Sequence, residues 1–319
     1  MSNYKSDLID RFWKYQKERF PDCKKYFDRQ EITDQRPPVF LKSTSDHNVI
    51  VNPDLPVDKR KALLEEIPLY ERHRWFRSMS SSQALAQSIF VNFKLYEQLI
   101  LLNDLNDDLG EPLFGPADIT VGNFKMEYSI DYLGEPRRTS VDAFISGDYQ
   151  VAIECKLTES EVGSCSRPRL RNTDSNYDKD FCDGTYTYQN GRDKRCSLTK
   201  RKILYWKYIP RLFNWRSDID LKPCPVNKNY QLVRNILAAC VRPDGTLSPE
   251  NGHMVLIYDE RNPAFQKGGK GYTAFEETRM ALRFHDLLKK FSWQRITKYL
   301  QDRPEFQWLS KELVMKYGL

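Results

Sequence analysis

Three charged residues stand out in the stretch SVDAFISGDYQVAIECKLTE, residues 140–159, which otherwise has the pattern of two apolar strands. Asp142 lies in the first strand, and Glu154 and Lys156 lie in the second. Side chains two residues apart share one face of a strand, so Glu154 and Lys156 point the same way. Charged side chains in buried strands are costly unless they are paired or bind something. The pattern therefore predicts a functional site.

The length of the loop between the two strands decides whether Asp142 joins this site. A three-residue loop, residues 147–149, would place Asp142 opposite Glu154, whereas a two-residue loop would place it opposite Ile153. Three-residue hairpin loops that contain glycine are common. We therefore expect the two carboxylates and the lysine to converge.

Two carboxylates at such a site repel each other unless a divalent cation lies between them. Carboxylate oxygens together with retained waters are the ligands that Mg²⁺ prefers, and Mn²⁺ is the alternative. A metal bound in this way can activate water and neutralise charge on a phosphoryl group. Lys156 could position or deprotonate the water or hold a phosphate oxygen. The alternative is a solvated strand face on which Lys156 merely neutralises one acid.

Basic and aromatic residues are interleaved after these strands. The formal net charge is only +6, but basic residues cluster between Arg167 and Lys202, next to several tyrosines and a tryptophan. Basic side chains neutralise phosphates and aromatic rings stack on unpaired bases, so this segment predicts nucleic-acid binding. A solvated loop is the alternative. The candidate substrate-binding residues are Arg192, Lys194, Arg195 and Lys200.

Cysteines form a second pattern in the same segment. The chain has seven cysteines and no export signal, which argues against a disulfide framework. Cys165, Cys182 and Cys196 lie where loops are expected, and Cys224 could be a fourth ligand. These four residues are candidates for a structural Zn²⁺ or iron–sulfur site, and ordinary reduced cysteines are the alternative.

The elements around these residues indicate one α/β core with additions at both ends. Helical patterns occupy the first hundred residues, with Asp58 as an expected helix cap, and three short strands follow. A helix that Pro210 should interrupt or end, a shorter helix and an apolar strand complete the core. We expect a helical N-terminal extension (1–77), a core (78–265) with an insertion (158–198), and a helical C-terminal extension (266–319). The chain has no apolar run that could span a membrane, which favours a cytoplasmic protein.

Asp142, followed after eleven residues by Glu154-x-Lys156 on the next strand, resembles the motif of the PD-(D/E)xK nuclease superfamily. The order helix, three strands, helix, strand over roughly residues 78–260 also resembles the restriction-endonuclease-like core of that superfamily. The motif departs from the usual pattern in one place, since Val141 stands where a proline is common. The resemblance implies an α/β fold with this core and with helical N- and C-terminal elaborations.

Two helices add further polar candidates through the same resemblance. The helix that begins SSQALAQS is similar to one in poorly characterised prokaryotic branches, where many relatives have a glutamate at the position of Gln83. Because glutamine ligates a cation more weakly, Glu97 is the fallback. The segment YQLVRN resembles the helix after the motif, which puts Gln231 forward as a polar residue of the site; an exposed turn is the alternative.

The resemblance implies a metal-dependent nuclease. Asp142 and Glu154 would hold the cation with the backbone carbonyl of Cys155, and Lys156 would serve the nucleophilic water. The reaction would be hydrolysis of a phosphodiester in DNA, in defence, repair or mobile-element processing, by a homodimer if both strands of a duplex are cut. The alternatives are a non-catalytic nucleic-acid-binding or scaffold protein, which Gln83 favours, and a protein stabilised mainly by metal at its cysteines.

Overall fold

The chain is a mixed α/β protein, as the alternation of helical and strand patterns predicts. The computed structural model describes residues 4–28, 36–135, 139–167, 173, 182, 184, 196–215 and 224–319. Within these residues a five-stranded sheet lies at the centre and helices cover both of its faces. No helix in these ranges is both long and apolar enough to cross a membrane.

The sheet has the strand order β1-β2-β3-β4-β5. The first three strands form an antiparallel meander, and β4 and β5 then add in parallel to β3 and β4. Parallel neighbours require crossover connections, which the helices provide. The strands are β1 (Phe124–Ile130), β2 (Thr139–Ile145), β3 (Gln150–Cys155), β4 (Gly252–Tyr258) and β5 (Leu288–Ser292).

Four helices precede the sheet: α1 (Tyr4–Arg19), α2 (Cys23–Tyr26), α3 (Val57–Glu65) and α4 (Ser82–Leu95). The Ser81 hydroxyl accepts the backbone N–H of Ala84 at 3.2 Å, which caps α4. Nearly every side chain of α4 is buried, so this helix belongs to the core. The prediction for α3 was wrong in one detail, because Pro56 occupies the cap position and Asp58 lies in the first turn. Proline has no N–H to leave unsatisfied near a helix start.

The remaining helices alternate with β4 and β5. The single helix predicted around residues 197–213 is two helices, and the break is at Lys202 (φ +68°) rather than at Pro210. Pro210 lies inside the second helix, two residues before its end. The helices are α5 (Ser197–Lys200), α6 (Tyr205–Leu212), α7 (Val226–Cys240), α8 (Lys270–Ala281), α9 (Trp293–Gln301) and α10 (Gln307–Tyr317), with 3₁₀ turns at Lys42–Asn48, Leu99–Asp104, Pro249–Asn251, Pro263–Phe265, His285–Leu287 and Pro304–Phe306.

Strand β5 corrects the prediction that the C-terminal part is entirely helical. Its sequence LKKFS contains two lysines, which hide the strand pattern. Lys289 is nevertheless buried, and its ammonium group donates to the carbonyl of Pro112 at 2.6 Å. A lysine at the edge of a sheet also discourages pairing with another chain.

Two apolar cores sandwich the sheet. One contains α4 with α1, α9 and α10, and the other contains α6, α7 and α8. Along a regular strand, residues two apart lie in the same core. In β2, however, Val141 lies in the α7 core and Ala143 in the α4 core. In β1, Met126 likewise lies in the α4 core, whereas Tyr128 packs against the α7 core. The alternation therefore reverses at the residues between them, Glu127 and Asp142.

Candidate active site

Glu154, at the end of β3, is held by three side-chain donors. It is almost completely buried, with 2% of its surface exposed. Its Oε1 accepts from the ammonium group of Lys156 at 2.7 Å and from the amide of Gln231 at 2.6 Å. Its Oε2 accepts from the amide of Asn235 at 2.7 Å. A buried carboxylate is tolerated when its oxygens are satisfied in this way.

Lys156 follows the last residue of β3, lies beside Glu154 as the spacing predicts, and is also buried. Burial lowers the pKa of its ammonium group, but the negative charges of Glu154, Glu159 and Asp142 outweigh burial and raise that pKa above its ordinary value. Lys156 is therefore charged in the folded chain and can donate hydrogen bonds, and its part in activating a water stays a prediction. Its backbone N–H donates to the carbonyl of Ile257 at 2.8 Å, which fixes it against β4.

Asp142 reaches the same place from β2. The pairs Ala143–Ile153 and Ile145–Val151 have the register of a three-residue loop, which is the expected one and opposes Asp142 to Glu154 by count. The bonded ladder ends at Ala143, and the Asp142 carboxylate instead accepts the N–H of Cys155 at 2.6 Å. Burial, followed by the charges of Glu154 and Glu127, raises the pKa of Asp142 well above its ordinary value.

Glu127 is a third acid, which sequence reasoning missed. It lies in β1, opposite Asp142 by count, and has a left-handed backbone (φ +46°), which is rare for any residue except glycine. Its carboxylate accepts from the hydroxyl of Ser140 at 2.7 Å. Burial is the main cause that raises its pKa to about 7; hydrogen bonds from Gln83 and Ser140 oppose the shift, and the charge of Glu154 adds to it. A strained residue of this kind occurs where the surrounding structure holds it.

Gln83 borders the site through Glu127. Its side chain is buried in the first turn of α4, and its Oε1 accepts the N–H of His73 at 2.9 Å. Because its amide also bonds to Glu127, Gln83 supports an acid of the site. The fallback, Glu97, was wrong: it is exposed and follows the last residue of α4, roughly 20 Å from Gln83 along the helix.

Helix α7 supplies the other partners of Glu154. Gln231 also accepts from the ammonium group of Lys156 at 3.1 Å, so it bridges both charged residues. Asn235, one helical turn later, was missed, although its spacing from Gln231 places both on one face of the helix. Arg234 donates to Oδ1 of Asn235 at 2.8 Å and to the carbonyl of Ser140 at 2.7 Å. The helix thus joins β2 and β3 at the site.

We define the carboxylate site as Glu127, Asp142, Glu154 and Lys156. Its balance of charge favours a bound cation. Among the described residues, three acids face one ammonium group; burial is the main cause of the raised pKa values of Glu127 and Asp142, and the charges of neighbouring acids add to it. The second oxygen of Asp142 makes no hydrogen bond within the described part of the chain. No group of three or more His, Cys, Asp or Glu side chains in these ranges already has an arrangement that could hold a metal ion. Asp142 and Glu154 alone offer the oxygen ligands that Mg²⁺ takes together with waters.

The remaining candidates divide into three groups. Arg192, Lys194 and Arg195 lie outside the described residues, and Lys200 is an exposed residue at the end of α5. Cys155 gives its N–H to Asp142, and the role of its carbonyl stays a prediction. Four cysteines line one small cavity, separate from the carboxylate site: Cys165, Cys182, Cys196 and Cys224.

Comparison with known proteins places the chain in a family. The model of the family REase-ARP, described as "Restriction Endonuclease associating with ARP", matches residues 11–318. The chain therefore belongs to this family, and the membership supports a restriction-endonuclease-like nuclease that acts on DNA. Neither a curated protein nor a solved structure matched the chain.

Proposed function

We propose that this protein is a PD-(D/E)xK-type nuclease that hydrolyses phosphodiester bonds in DNA with the help of a divalent cation at the carboxylate site. The observation that carries the proposal is the meeting of Asp142 and Glu154, from neighbouring strands, beside a buried charged lysine. The order α4, β1, β2, β3, α7, β4 also fits the core that the resemblance implies. Membership of a restriction endonuclease family supports the same class of reaction.

Asp142 and Glu154 would hold Mg²⁺ or Mn²⁺, with the carbonyl of Cys155 as a third ligand. When bound, the cation would supply charge neutralisation at the phosphoryl group and acidify a water. The chain's own acids favour such an ion, because burial and mutual repulsion raise the pKa of Asp142. Glu127, which lies opposite Asp142, adds negative charge to the same side of the site.

Lys156 would act as a donor of hydrogen bonds. Its ammonium group stays charged next to Glu154, so it would orient the attacking water or hold a non-bridging phosphate oxygen. Gln231 contacts both Lys156 and Glu154 and would keep the lysine directed toward the reacting phosphate. Lys156 would then need only a small movement to exchange its hydrogen bond to Glu154 for one to the substrate, because the amide of Gln231 continues to satisfy Glu154.

One observation favours the alternative, a non-catalytic DNA-binding protein. Both oxygens of Glu154 already have donors from the chain itself, and a glutamine stands at position 83. In a site that has lost its cation during evolution, side chains of the protein itself would satisfy the acids in this way. The two functions differ in whether strand cleavage depends on metal and on Glu154.

The test is cleavage of labelled plasmid and single-stranded DNA with Mg²⁺ or Mn²⁺. Wild type would be compared with Glu154→Gln and Lys156→Met, which keep the size of each side chain and remove its charge. The exposed ion pair Lys61–Glu65, at 3.6 Å, offers matched controls in Lys61→Met and Glu65→Gln. We expect cleavage by wild type and both controls and its loss in both site variants.

DNA binding is measured in parallel by fluorescence anisotropy at several salt concentrations. A salt-sensitive affinity that is equal in all variants, without cleavage by any of them, would support the binding protein instead. Thermal unfolding of each variant shows whether a loss of cleavage follows from a loss of fold. Sizing of the protein with and without duplex DNA tests the homodimer that cutting of both strands would require.

A further inference from the structure

Four cysteines line one cavity beside α5 and the start of α7. The cavity has a volume of about 20 Å³, and Cys165, Cys182, Cys196 and Cys224 are all in its wall. Three of them are buried, and Cys224 is partly exposed. All seven cysteines of the chain lie among the described residues, and none is in a disulfide. Four cysteine side chains from separate parts of the chain thus surround a space the size of one ion or one water.

Backbone hydrogen bonds bring these segments together. The N–H of Cys165 donates to the carbonyl of Asn227 in the first turn of α7 at 2.7 Å. The N–H of Cys224 donates to the carbonyl of Gly184 at 2.9 Å. Cys196 precedes the first residue of α5. The convergence therefore does not depend on the side chains of the cysteines alone.

Three of the sulfurs have backbone donors from residues that closely follow them. The N–H of Gly184 donates to Cys182 Sγ at 3.3 Å. Backbone N–H groups also lie close to two other sulfurs, that of Arg167 to Cys165 and those of Leu198 and Thr199 to Cys196. Burial raises the pKa values of Cys165 and Cys196 above their ordinary value, and these N–H groups oppose that rise.

We propose that Cys165, Cys182, Cys196 and Cys224 form a structural zinc site. Four cysteine sulfurs around one ion are a common ligand set of structural zinc. The small volume of the cavity, about 20 Å³, matches one ion or one water and favours a single zinc ion over the larger iron–sulfur cluster. The proposal is independent of the nuclease activity.

Zinc binding would change this region in two ways. The described residues hold no group of three or more His, Cys, Asp or Glu already arranged around an ion, so the sulfurs must move inward as the ion enters. Each thiol that becomes a ligand releases its proton to solvent. The ion would then join the chain after β3 to α5 and to the start of α7. Because α7 carries Gln231 and Asn235 beyond a kink at Asn229, zinc at the start of α7 would also restrict the helix that holds Glu154.

The test is the metal content of the full chain purified without added metal and without chelator. We expect about one Zn²⁺ per chain by inductively coupled plasma mass spectrometry. Replacement by Co²⁺ should give the visible and near-ultraviolet absorption of a tetrahedral cobalt–thiolate centre. This second measurement needs no variant and so holds even if a cysteine variant fails to fold.

Cys224→Ser is the most informative variant, since Cys224 is partly exposed and its loss disturbs the core least. Cys23→Ser is the matched control, because Cys23 is also partly exposed and lies in α2. We expect zinc to be lost from Cys224→Ser and retained in Cys23→Ser, and also in Glu154→Gln if the ion is separate from the carboxylate site. Wild type without zinc and without cobalt–thiolate absorption, or zinc retained in Cys224→Ser, would overturn the proposal.

Discussion

The carboxylate site and the cysteine cavity are built in opposite ways. The carboxylate site has oxygen ligands on neighbouring strands, and side chains of the chain itself already satisfy Glu154. The cysteine cavity has sulfur ligands on segments that are mostly irregular, and backbone N–H groups contact three of its sulfurs. One site has an excess of negative charge before any ion binds, whereas the other has neutral thiols, because burial raises the pKa of Cys165 to about 12.

This difference separates activity from stability. Repelling acids in a buried place destabilise the fold, and they persist where a reaction needs them. A thiol pocket has no such cost without metal, and zinc would add stability by linking distant segments. The two regions should therefore respond in opposite directions when their ligands are removed.

The largest effect should follow Asp142→Asn. We expect DNA cleavage with Mg²⁺ to fall by about 10³-fold or more, because one of the two cation ligands loses its charge. The free energy of unfolding should rise, because the change removes repulsion with Glu154 and Glu127 while the amide oxygen of the substituted side chain can still accept the N–H of Cys155. Cleavage assays and urea unfolding measure the two quantities. A variant that is less stable than wild type would show that the acids do not repel in the folded state.

Removal of zinc should give the reverse pattern. Chelation of the ion should lower the free energy of unfolding by about 3 kcal/mol, as for a ligand present well above its dissociation constant. Withdrawal of Mg²⁺ alone should stop cleavage and lower the free energy of unfolding less than withdrawal of zinc does, because a weakly bound ion adds little stability by mass action. Denaturant unfolding of zinc-loaded and zinc-depleted protein, each with and without Mg²⁺, checks both statements. Equal stability of the loaded and depleted forms would contradict the contrast between the two regions.

Glu127 should make stability depend on pH. The pKa of its carboxyl group is about 7 in the folded chain, against an ordinary value of 4.5. The folded state therefore binds the proton more tightly, and its contribution is present below pH 4.5 and is lost as the pH rises through 7. We expect a loss of about 3 kcal/mol over this range that Glu127→Gln removes. Urea unfolding across the range tests this, and Glu65→Gln, an exposed acid, should keep the wild-type slope.

The smallest effect concerns a glycine next to the site. A Cβ at Gly163 (φ +111°) would lie 2.1 Å from Oε1 of Gln231, whereas a Cβ at Gly147 (φ +137°) would meet nothing within 4 Å. Both alanine variants carry backbone strain, but only Gly163→Ala displaces the amide that bridges Lys156 and Glu154. We expect Gly163→Ala to cost about 1 kcal/mol more than Gly147→Ala in urea unfolding. Equal losses would indicate that Gln231 can move without consequence.

Much of the carboxylate site could be predicted because a strand has a fixed period. The alternation along β3 places Glu154 and Lys156 on one face, and the short loop of the next hairpin sets the register of Asp142. Glu127 could not be found in this way, because eight residues separate β1 from β2 and a long loop leaves the register open. Asn235 could have been found from its helical spacing to Gln231.

The cysteine cavity shows the limit of such reasoning. The sequence indicates which cysteines are close in number and lie in polar segments, but no period relates residues on irregular chain. That the four line one cavity depends on distant backbone contacts such as Cys165 to Asn227. Strand β5 was missed for a related reason, because Lys289 and Lys290 are stabilised by partners far away in the chain, Pro112 and Asp108.

The position of the donors to Glu154 also bears on how the chain folds. Strands β1 to β3 are close in sequence and can pair early, but Gln231 and Asn235 follow Glu154 by 77 and 81 residues. Until α7 and β4 arrive, β3 is an open edge of the sheet, and it has a carboxylate that lacks its final partners. An unsatisfied charge at an open edge discourages a strand of another molecule from pairing there. The residue proposed for catalysis in the finished protein would thus protect the unfinished one from aggregation during synthesis.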